Sequence, residues 1–195
     1  MVIHSKKESD YLIRKLGLNH IDFMSFDLGD CSIDDVICAI DNGEESRNKV
    51  YNIRDNEHYN GKFTVGVPFK NLREELKNYM GCRVRINENI IDYDKNNLIV
   101  QGDIVLHRDF TVRATISGVK GITQREASNN PNVFETVDCN IVNERFISKY
   151  KRELEKVLDL ICKNNLFDVI VEFGVYDKAI GVNNENIIFW ELRTR

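Results

Sequence analysis

Residues 168–176 read DVIVEFGVY and residues 185–193 read ENIIFWELR, two apolar runs joined by a short polar turn, each with one glutamate inside it. β-Branched and aromatic neighbours fill both runs, as in strands. An antiparallel hairpin is expected, with Glu172 and Glu191 facing each other across it. Among such neighbours a charged, unpaired carboxylate is costly to dehydrate. A divalent cation removes that cost. Hard ions such as Mg²⁺ take one or two carboxylates and complete their shell with water and the phosphates of a nucleotide, so a facing glutamate pair suits a nucleotide-metal site. Alternation leaves a second reading open: Val171 in and Glu172 out, with the glutamates as ordinary outward residues of a half-buried hairpin.

Working outward, the helix before the hairpin has the plainest pattern. Over 148–165 the apolar residues Tyr150, Leu154, Val157, Leu158 and Ile161 form one stripe flanked by charged residues. Strands are expected over 83–86, 98–106 and 110–116, with the DKNN turn at 94–97 joining two of them. The stretch 118–137, rich in Gly, Ser and Asn, reads as one long functional loop. Nearer the start, 9–18 reads as a helix ending at Gly17, 32–40 as a helix capped by Ser32, and 71–81 as a helix ending at Gly81. Strands at 49–54 and 62–67 flank a polar loop at 55–61. The whole predicts an α+β chain of two lobes, 1–90 and 91–195, with antiparallel sheets packed against helices.

Composition narrows the chemistry. The chain has 195 residues, 42% hydrophobic and 30% charged, with a net charge of −4. An acidic balance argues against a general nucleic-acid or membrane-surface role, since both need a basic excess. No apolar run of membrane-spanning length and no signal-type hydrophobic start is present, so a cytoplasmic protein is expected. Five scattered cysteines without C-x-x-C suggest reduced thiols, and four dispersed histidines give no zinc spacing. G-x-G-x-x-G, the P-loop, H-E-x-x-H and G-x-S-x-G are all absent.

Two further features carry chemistry. Arg54 ends a strand beside a loop that closes with Gly61 and Lys62, where a guanidinium and an ammonium could approach phosphate oxygens; a solvated strand end and hairpin tip is the alternative. Glu88, where a strand gives way to an extended crossing, could accept from an adenine amino group or a ribose hydroxyl, or sit on the surface.

In order, these pieces resemble the ATP-grasp superfamily, from KLGLN at 15–19 to the closing WELRT at 190–194. In places they look more like its branch holding the nucleotide-binding domain of pyruvate phosphate dikinase and phosphoenolpyruvate synthase. The resemblance implies ATP and Mg²⁺ as cofactors. It assigns Arg54, Gly61 and Lys62 to the phosphates, Glu88 to the adenosine, and Glu172 and Glu191 to the metal. Ligase-type members end in E-x-N, whereas this chain reads Glu191-Leu192-Arg193, closer to the Q-x-R-P ending of the dikinase branch. Because phosphoryl transfer needs cations around the transferring group, Arg54, Arg113 and Arg125 are the catalytic candidates, with 118–137 as the acceptor-side loop. The implied acceptor is a small molecule or a carrier protein, with no nucleic acid and no membrane, and either a homodimer or a missing partner domain completes the assembly. Two rivals remain: a metal-dependent nuclease using Asp168, Glu172 and Glu191, and a non-catalytic interaction module.

Overall fold

Antiparallel pairing organises two sheets. The computed structural model describes residues 2–3, 5–56, 61–91, 98–119, 133–144 and 146–194. Chain contacts divide it into one unit of residues 21–90 and another of residues 1–20 with 91–195. The α+β class with antiparallel sheets against helices is thus the observed one.

In the 21–90 unit the strands are β1 (Met24–Asp27), β2 (Val50–Asp55), β3 (Phe63–Pro68) and β4 (Arg83–Glu88), ordered β1-β4-β2-β3. Helices α2 (Ile33–Ile40) and α4 (Phe69–Leu76) cover one face, and a short α3 (Glu44–Arg47) precedes β2. Tyr51, Ile53, Val84 and Ile86 from the strands meet Val36, Ile40, Leu72 and Leu76 from those helices in one core. Helix α2 starts where the sequence says it should, because Ser32 and Asp35 form a reciprocal capping box. On β3, Val65 and Gly66 together oppose Asn52, a bulge that Gly66 accommodates with φ +74°.

The other unit holds α1 (Lys6–Lys15), β5 (Leu98–Leu106), β6 (Thr111–Ser117), β7 (Glu135–Asn140), α5 (Lys151–Lys163), β8 (Ile170–Ile180) and β9 (Glu185–Arg193). Its sheet runs β7-β6-β5-β8-β9. Helix α5 buries the expected stripe, Leu154, Val157, Leu158 and Ile161, against Ile104, Leu106, Val171 and Phe173. Each such side chain contributes about 1.5–3 kcal/mol when fully removed from water. Strand β7 begins at Glu135, so the irregular stretch is shorter at its far end than the sequence reading gives it; 120–132 lie outside the described residues, as does the 94–97 turn.

Residues 1–20, which the sequence reading places in the first lobe, pack with 91–195 because they close the outer edge of β9. Ile3 N–H donates to the Thr194 hydroxyl, Leu192 N–H to the Ser9 hydroxyl, and Phe189 N–H to the Asn19 carbonyl. Asn19, 1% exposed, then reaches into the β8–β9 turn. Its amide donates to the carbonyls of Ile180 at 2.8 Å and Ile187 at 2.9 Å, and its Oδ1 accepts from Asn183 N–H at 2.9 Å. A sheet edge that would otherwise present a row of unmet N–H groups is thereby satisfied.

Candidate functional site

Alternation along the five-stranded sheet sends Val100, Ile104, Leu106, Val112, Val171 and Leu192 into the core and puts Gln101, Asp103, Arg113, Thr115 and Glu172 on the opposite, more polar face beside Val105 and Ile170. Across that face the register aligns one row: Thr136 opposite Thr115, Thr115 opposite Asp103, Asp103 opposite Glu172, and Glu172 opposite Glu191. Neighbouring strands lie about 4.8 Å apart, so three carboxylates succeed one another at that spacing.

Glu191 reaches the row only through a bulge. Phe173 pairs with Phe189, yet the next residue back, Glu172, pairs with Glu191, so Trp190 is the extra residue on β9. In a regular ladder Glu172 would oppose Trp190, and Glu191 would oppose Val171 on the core side. The bulge re-aims the carboxylate onto the polar face.

Arg193, two residues beyond Glu191, forms an ion pair with Asp103 across β8. Among the described residues no three His, Cys, Asp or Glu side chains are grouped so that they could hold a metal ion. With Asp103 bound to a guanidinium, the facing carboxylates left in this row, among the described residues, are Glu172 and Glu191. Two carboxylate ligands, oxygen only, suit a hard cation that keeps waters and phosphate oxygens in its remaining positions.

Asp168 stands apart. It lies four residues before Glu172, about 13 Å along an extended strand, with φ +61°. Its carboxylate meets His107 Nδ1 at 3.0 Å and Arg108 Nε at 3.2 Å. The hydrogen bond with His107, the largest effect, outweighs an opposing desolvation and is reinforced by the weaker bond from Arg108, so the Asp168 carboxyl is held below its usual range. The structure therefore does not gather Asp168, Glu172 and Glu191 into the cluster that the nuclease reading needs. Arg113, next to the acidic row, is ion-paired with Asp138 at 3.3 Å. Arg125 lies outside the described residues.

In the four-stranded sheet the face away from the helices carries Asn52 and Arg54 of β2, Arg83, Arg85 and Asn87 of β4, and Phe63 and Val65 of β3. Arg54 is opposite Phe63 on one side and Arg85 on the other. Lys62 departs from the expected pairing with Arg54. Like Thr64, it turns to the helix side, where its ammonium donates to the Asn78 carbonyl at 2.8 Å. Gly61 is a close-approach residue: a Cβ there would meet the Asp55 side chain at 2.6 Å. Glu88 ends β4 and is ion-paired with Lys49 at 2.9 Å, while Lys49 also meets Glu45 at 2.8 Å. Those two hydrogen bonds raise the Lys49 pKa against a weaker desolvation.

Sequence reasoning missed Asp103, Arg85 and the Trp190 bulge. Asp103 and Arg85 alternate with buried residues and read as ordinary outward charges. Only register shows what they stand beside.

No family model matches the chain, and no curated protein matches it by sequence. Solved structures do. A D-alanine-D-alanine ligase from Helicobacter pylori superposes with TM-score 0.53 at 14% identity, over 97% of this chain and 53% of that one. The ADP complex of N5-carboxyaminoimidazole ribonucleotide synthetase gives TM-score 0.54 at 14% identity, over 98% and 44%. The macrocyclase MdnC from Microcystis aeruginosa MRC, bound with its precursor peptide MdnA, gives 0.51 at 14% identity, over 96% and 51%. The chain spans about half the length of these neighbours. Shared arrangement at such low identity establishes the architecture: the chain has the two-sheet α+β fold of the ATP-grasp enzymes.

Proposed function

We propose that the chain is an ATP-grasp nucleotide-binding module that uses Mg·ATP to phosphorylate or activate an acceptor. The observation that carries this reading is the direct opposition of Glu172 and Glu191 on the polar face, produced by the Trp190 bulge. A bulge that turns a carboxylate from core to surface, onto another carboxylate, is a feature that stability alone does not favour. Support also comes from the fold and from the arginines on the open face of β2 and β4.

In this reading Glu172 and Glu191 hold Mg²⁺, which supplies charge neutralisation at the phosphates. Arg54 binds phosphate oxygens, and its fork geometry orients the transferring group. Arg113 and Arg125 are further candidate cations for the transferring group. Glu88 accepts from the adenosine, for which it must share its carboxylate with Lys49. Arg193 keeps Asp103 neutralised and so confines the metal to the glutamate pair. The acceptor is a carboxylate or a phosphocarrier group, on a small molecule or a carrier protein. The Glu191-Leu192-Arg193 ending, akin to the dikinase branch, favours the phosphocarrier. The chain acts as a homodimer or together with a partner domain. We place the protein in the cytoplasm; among the described residues no helix is long and apolar enough to cross a membrane.

The test is mass action. Mg·ATP at about 100 times its dissociation constant adds about 2.7 kcal/mol to the stability of the state that binds it. A melting temperature that rises with Mg·ATP concentration supports the site. A folded sample with no shift at millimolar Mg·ATP refutes it.

A further inference from the structure

Asp103, Glu172 and Glu191 stand on the successive strands β5, β8 and β9 in one register row, with about 4.8 Å between strands. Three carboxylates in that order have the form of a clamp for two cations, whose metals stand about 3.5–4 Å apart and share the middle ligand. One end of this clamp already holds a cation. It is the guanidinium of Arg193, which belongs to the same chain and cannot leave.

The ion pair is not a cross-strand neighbour contact. Arg193 lies two residues beyond Glu191 and is opposite Ile170, whereas Asp103 is opposite Glu172 on the far side of β8. To join them the arginine side chain crosses a whole strand, bridging two strand spacings, about 9.6 Å. Holding so long a side chain extended costs rotamer entropy, which a pair formed only for stability gains little by meeting. What the crossing achieves is electrostatic. It brings a charge that never deprotonates to within about one strand spacing of Glu172. The Asp103 side chain is only 14% exposed and that of Arg193 33%, so salt screens this charge less than it would a surface pair.

We infer that Arg193 is a built-in second cation: it occupies the Asp103 end of the row, so that the site takes one exchangeable divalent ion, held by Glu172 and Glu191, and not two. The inference rests on the Mg·ATP reading and deepens it by fixing the metal count. Arg193 acts through Asp103, as a positioning residue. Neutralisation that a second metal would supply comes from a fixed guanidinium, and at saturating nucleotide the response to free Mg²⁺ follows a single-site curve.

The probe is Mn²⁺, counted by electron paramagnetic resonance while it is titrated into the full chain with one equivalent of a non-hydrolysable ATP analogue, beside the analogue alone. The parent should hold one ion per chain, at least about tenfold more tightly than the analogue does. Arg193→Gln should hold two, and the double variant Arg193→Gln with Asp103→Asn should return to one. A purely structural ion pair predicts neither the gain nor its reversal. Should Arg193→Gln fail to fold, Asp103→Asn alone decides: the count stays at one if Asp103 is no metal ligand, and a lost ion overturns the inference. Two ions in the parent, one in Arg193→Gln, or two in the double variant also overturn it and leave the Mg·ATP reading standing. A parent that holds Mn²⁺ no more tightly than the analogue alone overturns that reading, and the inference with it.

Discussion

Asn19→Ala should be among the most damaging single truncations outside the apolar core. Its side chain joins the N-terminal segment to the turn of the hairpin that bears Glu172 and Glu191. Truncation removes donors from the carbonyls of Ile180 and Ile187, both in buried bonds, and the acceptor from Asn183 N–H. At about 1 kcal/mol for each partner left unmet, the loss is about 3 kcal/mol. That corresponds to a fall of about 10 °C in the transition of the unit concerned. Trp190 is the only tryptophan and lies on β9, so its fluorescence in a urea titration reports this unit. Asn19→Asp is nearly isosteric but turns acceptors toward the Ile180 and Ile187 carbonyls, so its loss should be at least as large. A loss below about 1 kcal/mol for Asn19→Ala, or an Asn19→Asp protein as stable as the parent, would refute the account of Asn19 as a satisfied buried clasp.

Three other outcomes are expected. Glu191→Gln should leave the urea midpoint in EDTA unchanged or slightly higher while abolishing the Mg²⁺-dependent part of ATP binding; an unchanged Mg²⁺ response would place the glutamate outside the metal site. Arg54→Lys should lower single-turnover ADP formation more than it weakens ATP affinity, and Arg54→Ala should damage both, whereas small equal effects would return Arg54 to the solvated surface. For Asp168 the sign is set by its lowered pKa: the native state favours the ionised form, so the stabilisation is fully present above the usual carboxylate range and is lost as pH falls through it. Asp168→Asn should therefore flatten the acid limb of a stability-pH curve, and an unaltered limb would show that the contacts with His107 and Arg108 contribute nothing.

Much of the architecture was legible because it is written in local periods. The apolar stripe of α5, the alternation along β5 and β6, and the Ser32 cap all depend on residues a few positions apart. What was not legible depends on partners far away in sequence. Asn19 is one polar residue in a loop, and its partners lie more than 160 positions on. Strand β1 has only four residues, too few for a period to declare itself. Lys62 was placed with Arg54 because the two flank one loop, yet alternation puts it with Thr64 on the helix side. For Glu191 the expected opposition to Glu172 depends on a bulge that the apolar run around Trp190 does not announce.

The division of the second unit between residues 1–20 and 91–195 sets an order on its birth. During synthesis residues 1–20 leave the ribosome before strand β9 has been translated, since Leu192 is 183 positions from the serine it will bond. Residues 21–90 are contiguous and can close their own sheet in the meantime. Closing the longer circuit costs chain entropy that grows with the logarithm of its length, and it cannot begin until β9 has left the ribosome. The nascent protein should thus hold a finished four-stranded sheet beside an N-terminal helix in waiting, and that interval is when a chaperone would find α1 uncovered.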